Sequence, residues 1–167
     1  MVLDRENKIA YACLSIRTQE NVLDDFCKKS GYKAVKFHAF DQNNFAIYHT
    51  NVMMCVGDKF VVVCFESVTD LAERELLKQS FIDTNKEIIE ISLAQMNQFG
   101  GNMLQVKNTD GKSYLIMSER AYLSLNDAQK VQIFKHAEPL YSTLTTIEDN
   151  GGGSARCMMA EIHLPQN

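Results

Sequence analysis

NVMMCVGDKFVVVCFESVTDLAERELLKQSFIDTNKEIIEI, residues 51–91, contains one complete unit of a repeating pattern. Residues 51–56 read as a strand, and Gly57-Asp58 is a turn of hairpin type. Residues 59–65 are rich in Val and read as a second, strong strand. Thr69 can cap a helix running through Glu75 and Phe81, because a Thr side chain accepts from the free N–H groups of a first turn. KEIIEI, residues 86–91, then alternates like a half-buried strand.

The same order lies on both sides. Upstream, Val2-Leu3-Asp4 and residues 8–15 read as two strands, and 19–29 as a helix with Val22, Leu23 and Phe26 at helical spacing. Residues 32–40 return as a strand through Val35 and Phe37. Downstream come a strand over 102–106, the turn Asp110-Gly111, a strand over 113–117, a helix over 126–137 capped by Asn126, and a strand over 144–147. Asn51 and Asn102 open the last two units 51 positions apart. A strand–strand–helix–strand unit occurring about three times cannot bury both faces in one copy, so the copies must stack around a common core. The expectation is an α/β fold with residues 1–167 as one portion of something larger. Residues 149–165 read as the opening of a further hairpin.

Composition narrows the function. The chain has 167 residues, 46% hydrophobic and 23% charged, which is enough for a real core and wrong for disorder. With 21 acids against 17 bases the formal charge is −4, and no run of Lys and Arg exceeds two, so a nucleic-acid partner is not expected. The apolar runs near Val52–Val56 and Phe60–Phe65 are far short of the roughly 20 residues that span a bilayer. No membrane association is expected, and a cytoplasmic location follows by default.

Cys13, Cys27, Cys55, Cys64 and Cys157 make five cysteines without a CxxC pair, against a disulfide framework or a zinc site. Four lie in apolar or amphipathic surroundings and read as small buried hydrophobes. Cys157 does not: it follows Gly151-Gly152-Gly153-Ser154-Ala155-Arg156. Three glycines let the backbone pass close to a ligand and leave amide N–H groups for developing negative charge. Arg156 beside the thiol favours its reactive form. A surface loop leading to a buried Cys on a strand fits the same residues. His49 opens the second unit, and one Cys with one His is the minimum set for nucleophilic catalysis with proton transfer. Arg17, before the first helix, reads either as a solvated residue beside a helix capped by Thr18 or as a fork for a carboxylate. Gly100-Gly101-Asn102 reads as a pocket wall or a turn. His38, His136 and His163 lack such company and read as structural. Met53-Met54 and Met158-Met159 read as core filling, and Asp24-Asp25, Glu73 and Glu75 as solvated helix faces.

YHTNVMMCVGDKF, EIIEISLAQMNQFGGNMLQVKN and GGGSARCMMAEIHLP, in this order, resemble the guanidino-group-modifying or pentein superfamily, which includes arginine deiminases, dimethylarginine hydrolases and amidinotransferases. The likeness covers essentially the whole chain and is greatest to its citrulline-utilisation hydrolase (citrulline ureidase) branch. It implies an α/β propeller of five strand–strand–helix–strand modules, of which this chain holds about three as the C-terminal portion, its N-terminal modules absent. Cys157 matches the family nucleophile and His49 the general acid/base. Arg17 matches the arginine that binds an amino acid's carboxylate, and Asn51, Asn102, Gly152 and Gly153 fall to the substrate pocket. No metal or cofactor is implied.

Two positions depart from the pattern. Where many relatives carry an acid two residues after the histidine, this chain has Asn51; an amide suits a neutral ureido group better than a cationic guanidinium. The clamping acids of the N-terminal modules are also missing, which implies a homo-oligomer or a complementing N-terminal chain. The expected activity is cysteine-dependent hydrolysis of a ureido or guanidino C–N bond in a small amino acid, citrulline first. An arginine deiminase or amidinotransferase, and a non-enzymatic truncated propeller that binds or self-associates, are the alternatives.

Overall fold

A computed structural model describes residues 1–162; His163 and Pro165 lie outside them. Among the described residues nine strands form three separate three-stranded sheets, and each sheet repeats one topology. In the first, β1 (Val2–Asp4) runs antiparallel to β2 (Ile9–Cys13), which runs parallel to β3 (Lys33–Phe37) after the helix α1 (Glu20–Ser30). In the second, β4 (Met54–Val56), β5 (Phe60–Val63), α2 (Leu71–Asp83) and β6 (Glu87–Glu90) follow the same path. The third has β7 (Leu104–Lys107), β8 (Ser113–Ser118) and β9 (Glu138–Ser142), with α4 (Glu119–Ser124) and α5 (Asp127–Phe134) in the crossover. A short helix, α3 (Leu93–Met96), links the second sheet to the third. The repeat is therefore a structural one, and the chain is an α/β protein whose described residues form no closed barrel.

The sheets share one large core. β5 is buried at all four positions because it is the middle strand of the middle sheet, and Val61, Val62 and Val63 have no exposed surface. Each such side chain contributes about 1.5–3 kcal/mol by leaving water. β1 lies beside β4, and β4 beside β7, so the first strands of the three units gather along one line. The outer strands are covered from the next unit: α2 packs on β3, and α5 packs on β6. Between the first two sheets lies a buried ion pair, Lys86 Nζ to Asp4 Oδ2 at 3.0 Å, with side chains 1% and 2% exposed. Its remaining valences are filled, since Lys86 also donates to the carbonyls of Gly57 and Asp58, and Asp4 accepts twice from Asn7. Such completion is what makes a buried pair tolerable.

Several local expectations are corrected. The helix α2 is capped by Asp70, whose Oδ1 accepts from the N–H groups of Ala72 and Glu73, and not by Thr69. Gln19 starts α1 without a side-chain cap, so Thr18 does not serve there. The first half of the strand expected over 51–56 is a 3-10 turn, Thr50–Val52. Asn126 does cap α5, through a capping box with Gln129. The last strand of the third unit is Glu138–Ser142, and residues 145–151 form a helix, α6 (Thr145–Gly151). The β-branched run in LTTI suggested a strand, but pairing with β8 selects 138–142, where Pro139 is tolerable at an outer strand. The expected hairpin after Asp149 is likewise α6 followed by a 3-10 turn, Ala155–Met158. Met53 and Met54 are fully buried, whereas Met158 is exposed and fills no core.

Candidate active site

Four segments converge on Cys157. Its own 3-10 turn follows Ser154, whose Oγ donates to Glu148 Oε1 at 2.7 Å, both groups buried. The other oxygen of Glu148 accepts no hydrogen bond, but Arg120 Nε stands 3.2 Å away and balances its charge. α6 and α4 are thereby tied to the loop. Gly152 takes φ of 67°, in the left-handed region that favours glycine. At Gly153 a Cβ would stand 3.1 Å from Cys157 Cβ and 3.3 Å from Sγ, so any side chain would crowd the sulfur. Cys157 is exposed, while the other four cysteines are buried. Burial pushes the Cys55 and Cys64 thiols up to about 12 and about 11.

The second segment is the turn that carries Asn51. Thr50 is buried and its Oγ1 accepts from the Cys13 N–H at 3.1 Å, which pins this turn to β2. Asn51 Nδ2 points at Cys157 Sγ from 3.7 Å. The third is Phe99–Asn102. Gly101 has no room for a Cβ, which would meet the Val52 carbonyl oxygen at 2.4 Å, so glycine lets this segment press against the Asn51 turn. Asn102, 2% exposed, donates from Nδ2 to Cys157 Sγ at 3.2 Å and to the Asn51 carbonyl at 3.1 Å. Its Oδ1 accepts from the Arg156 N–H at 3.0 Å.

The fourth segment brings His49. With Cys157, Asn102, Gly152 and Gly153 it lines a cleft of about 350 Å³, whose apolar wall includes Phe45, Val52 and Phe99. Burial lowers the His49 pKa below its ordinary value, and the Arg17 cation lowers it further. Tyr48 stands between them, with the Arg17 guanidinium 5.1 Å from its ring and the His49 ring edge-on at 4.7 Å. Arg17 itself is exposed and borders a different hollow with Ile16, Val22 and Phe26. Of the seven expected site residues, His49, Asn102, Gly152, Gly153 and Cys157 share the cleft. Asn51 borders a different hollow and reaches only the sulfur, and Arg17 acts on His49 from outside the cleft.

Two of the three histidines expected to be structural have partners, and the third, His163, lies outside the described residues. His38 pairs with Glu73 and His136 with Glu87. Sequence reasoning missed Glu148 and Arg120, whose role depends on a helix not expected there. Among the described residues no three His, Cys, Asp or Glu side chains converge as a metal site requires, and no helix is long and apolar enough to cross a membrane.

A family model that matches residues 1–164 places the chain in the pentein, amidinotransferase-like superfamily, and the α/β repeat of three sheets agrees with it. Within it, the chain belongs to the family described as N,N dimethylarginine dimethylhydrolase, eukaryotic, whose profile matches residues 1–164. No curated protein matches the sequence significantly. Among solved structures, the N-terminal domain of ArgZ, an arginine dihydrolase of the ornithine-ammonia cycle in cyanobacteria, is similar in a form covalently bonded to a reaction intermediate. It aligns over 94% of this chain and 52% of its own at 16% identity, with a TM-score of 0.74. AgrE, in a ternary complex with ornithine and NAD+, aligns over 99% of this chain and 22% of its own at 18% identity, with a TM-score of 0.75. At these identities the likeness is one of fold. The chain spans about half the length of that ArgZ domain and about a fifth of AgrE.

Proposed function

We propose that this protein is a cysteine-dependent C–N hydrolase that acts on the ureido or guanidino carbon of a small amino acid. The observation that carries this reading is the cleft in which an exposed Cys157, held by two asparagine amides, faces the same space as His49. Family membership and the covalent intermediate of the ArgZ domain support it. His49, its pKa lowered, is neutral near pH 7 and takes the thiol proton. The Cys157 sulfur bonds to the trigonal carbon, the C–N bond to the amino acid breaks, and His49 returns the proton to the departing amine. Neutral His49 then activates water, which cleaves the S–C bond and restores the thiol. Because neutral imidazole is the working form, activity falls only below the ordinary His value of 6.5, as a pH–rate profile would record.

Citrulline is the proposed substrate, yielding ornithine, carbon dioxide and ammonia. Asn51 supports it: a carboxamide donates to a neutral ureido oxygen, which a carboxylate would repel. The family described above favours a methylated arginine as the second reading. Arg17, whose guanidinium stands over the Tyr48 ring beside His49, is the proposed carboxylate partner. A homo-oligomer or a complementing chain is the proposed source of further substrate contacts. Release of ornithine or citrulline from citrulline, arginine and dimethylarginine, with Asn51→Asp in parallel, tests the set. Citrulline turnover that Asn51→Asp weakens is the expected outcome; wild-type preference for either cation overturns the citrulline assignment.

A further inference from the structure

Asn102 was expected to line the substrate pocket, but its hydrogen bonds go elsewhere. One Nδ2 hydrogen is used by the Asn51 carbonyl and one by Cys157 Sγ, while Oδ1 takes the N–H of Arg156. The amide orientation is fixed by these partners, since reversing it would set an N–H against the Arg156 N–H and an oxygen against the Asn51 carbonyl. The residue is buried at 2% exposure, and glycine at 101 is what lets its backbone approach the Asn51 turn.

We infer that Asn102 is a positioning residue for the nucleophile, holding Cys157 Sγ with one N–H while the other arm and the oxygen lock that N–H in place, and that it is not a substrate ligand. This deepens the proposed function and rests on Cys157 as its nucleophile. The bond has a direction: a donor to sulfur gains strength when the sulfur carries negative charge. Aspartate, nearly the same shape, would keep the Arg156 contact and put one acceptor oxygen in place of Nδ2, facing both the sulfur and the Asn51 carbonyl. Asn51 Nδ2, at 3.7 Å, is a weaker second donor.

The test is alkylation of Cys157 by iodoacetamide, read by peptide mass spectrometry across about pH 6 to 9, in wild type, Asn102→Asp and Asn102→Ala. Asn102→Asp is expected to slow labelling near neutral pH by about tenfold or more and to move the inflection of the profile to higher pH. Asn102→Ala is expected to move it in the same direction by less, and it carries the comparison if the Asp variant lacks a cooperative melting transition. A rate change with an unmoved inflection would be that of a merely structural residue and would overturn the inference, as would wild-type labelling in both variants. Turnover does not enter this readout. A shifted profile in a protein inactive on every substrate removes the proposed function alone, and an active wild type with no shift removes the inference alone.

Discussion

The middle sheet and the outer side of the third sheet are built from the same unit and have opposite fates. β5 lies between β4 and β6, the outer strand β6 is covered by α5, and the four residues of β5 are all buried. β9 shows Glu138, Leu140, Tyr141 and Ser142 to solvent. The difference teaches that a unit of this fold completes its burial only when the next one supplies a helix. It also separates stability from chemistry, because Cys157 sits in the exposed segment that follows β9, held by asparagines rooted at the edges of the buried middle.

The largest effect separates the thiols. Cys157→Ala is expected to lower turnover at least about a thousandfold. In the wild type, peptide-resolved alkylation near neutral pH is expected to fall on Cys157, while Cys55 and Cys64, pushed up to about 12 and about 11 by burial, stay unmodified. Equal labelling of all five would break the contrast between buried and exposed regions.

Next comes the joint between the first two sheets. Lys86→Met leaves Asp4 buried without its cation and is expected to cost about 3–5 kcal/mol in urea unfolding. A loss under about 1 kcal/mol would mean that water reaches Asp4. Leu77→Ala, in the fully buried face of α2, is expected to cost about 2–5 kcal/mol, and Leu140→Ala on β9 less than about 0.5. Comparable losses would show β9 to be covered in solution, ending the contrast.

A modest effect lies where the second sheet meets α5. Glu87 accepts from His136, Lys135 and Gln132, and these bonds, that of His136 foremost, hold its pKa down at about 2 against an ordinary 4.5. A lowered carboxylate pKa stabilises the fold above the unfolded value and loses that contribution as pH falls through the folded one. Glu87→Gln is expected to cost about 1 kcal/mol at neutral pH, kept small by solvent screening, with melting curves converging with wild type as pH falls from 4.5 toward 2.

How far the sequence could be read follows the same division. FVVV with its GD turn and the KEIIEI strand gave themselves away through local pattern, and so did the Asn126 cap. Leu144–Ile147 did not, because β-branched residues suit a strand but β8 had already taken Glu138–Ser142 as its partner. The Asn51 turn was misread for a related reason: Thr50 bonds β2 across the fold, and no local signal carries that contact. Cys157 and His49 were marked by residue type. The junction of Asn102 with Cys157 was marked only by the glycines before it.

By itself the amino-acid order determined the repeat, the α/β class, the buried valines and the one cysteine set apart from the others, because periodicity and glycine usage act over a few neighbouring residues. Only the tertiary structure decided which strand closes the third sheet, that Cys157 stands on an exposed turn, and that Asn102 faces sulfur. The first depends on pairing β8 with a strand whose residues lie 24 positions further on, and the placing of Asn102 on hydrogen bonds between residues some fifty positions apart, formed only when the units have stacked.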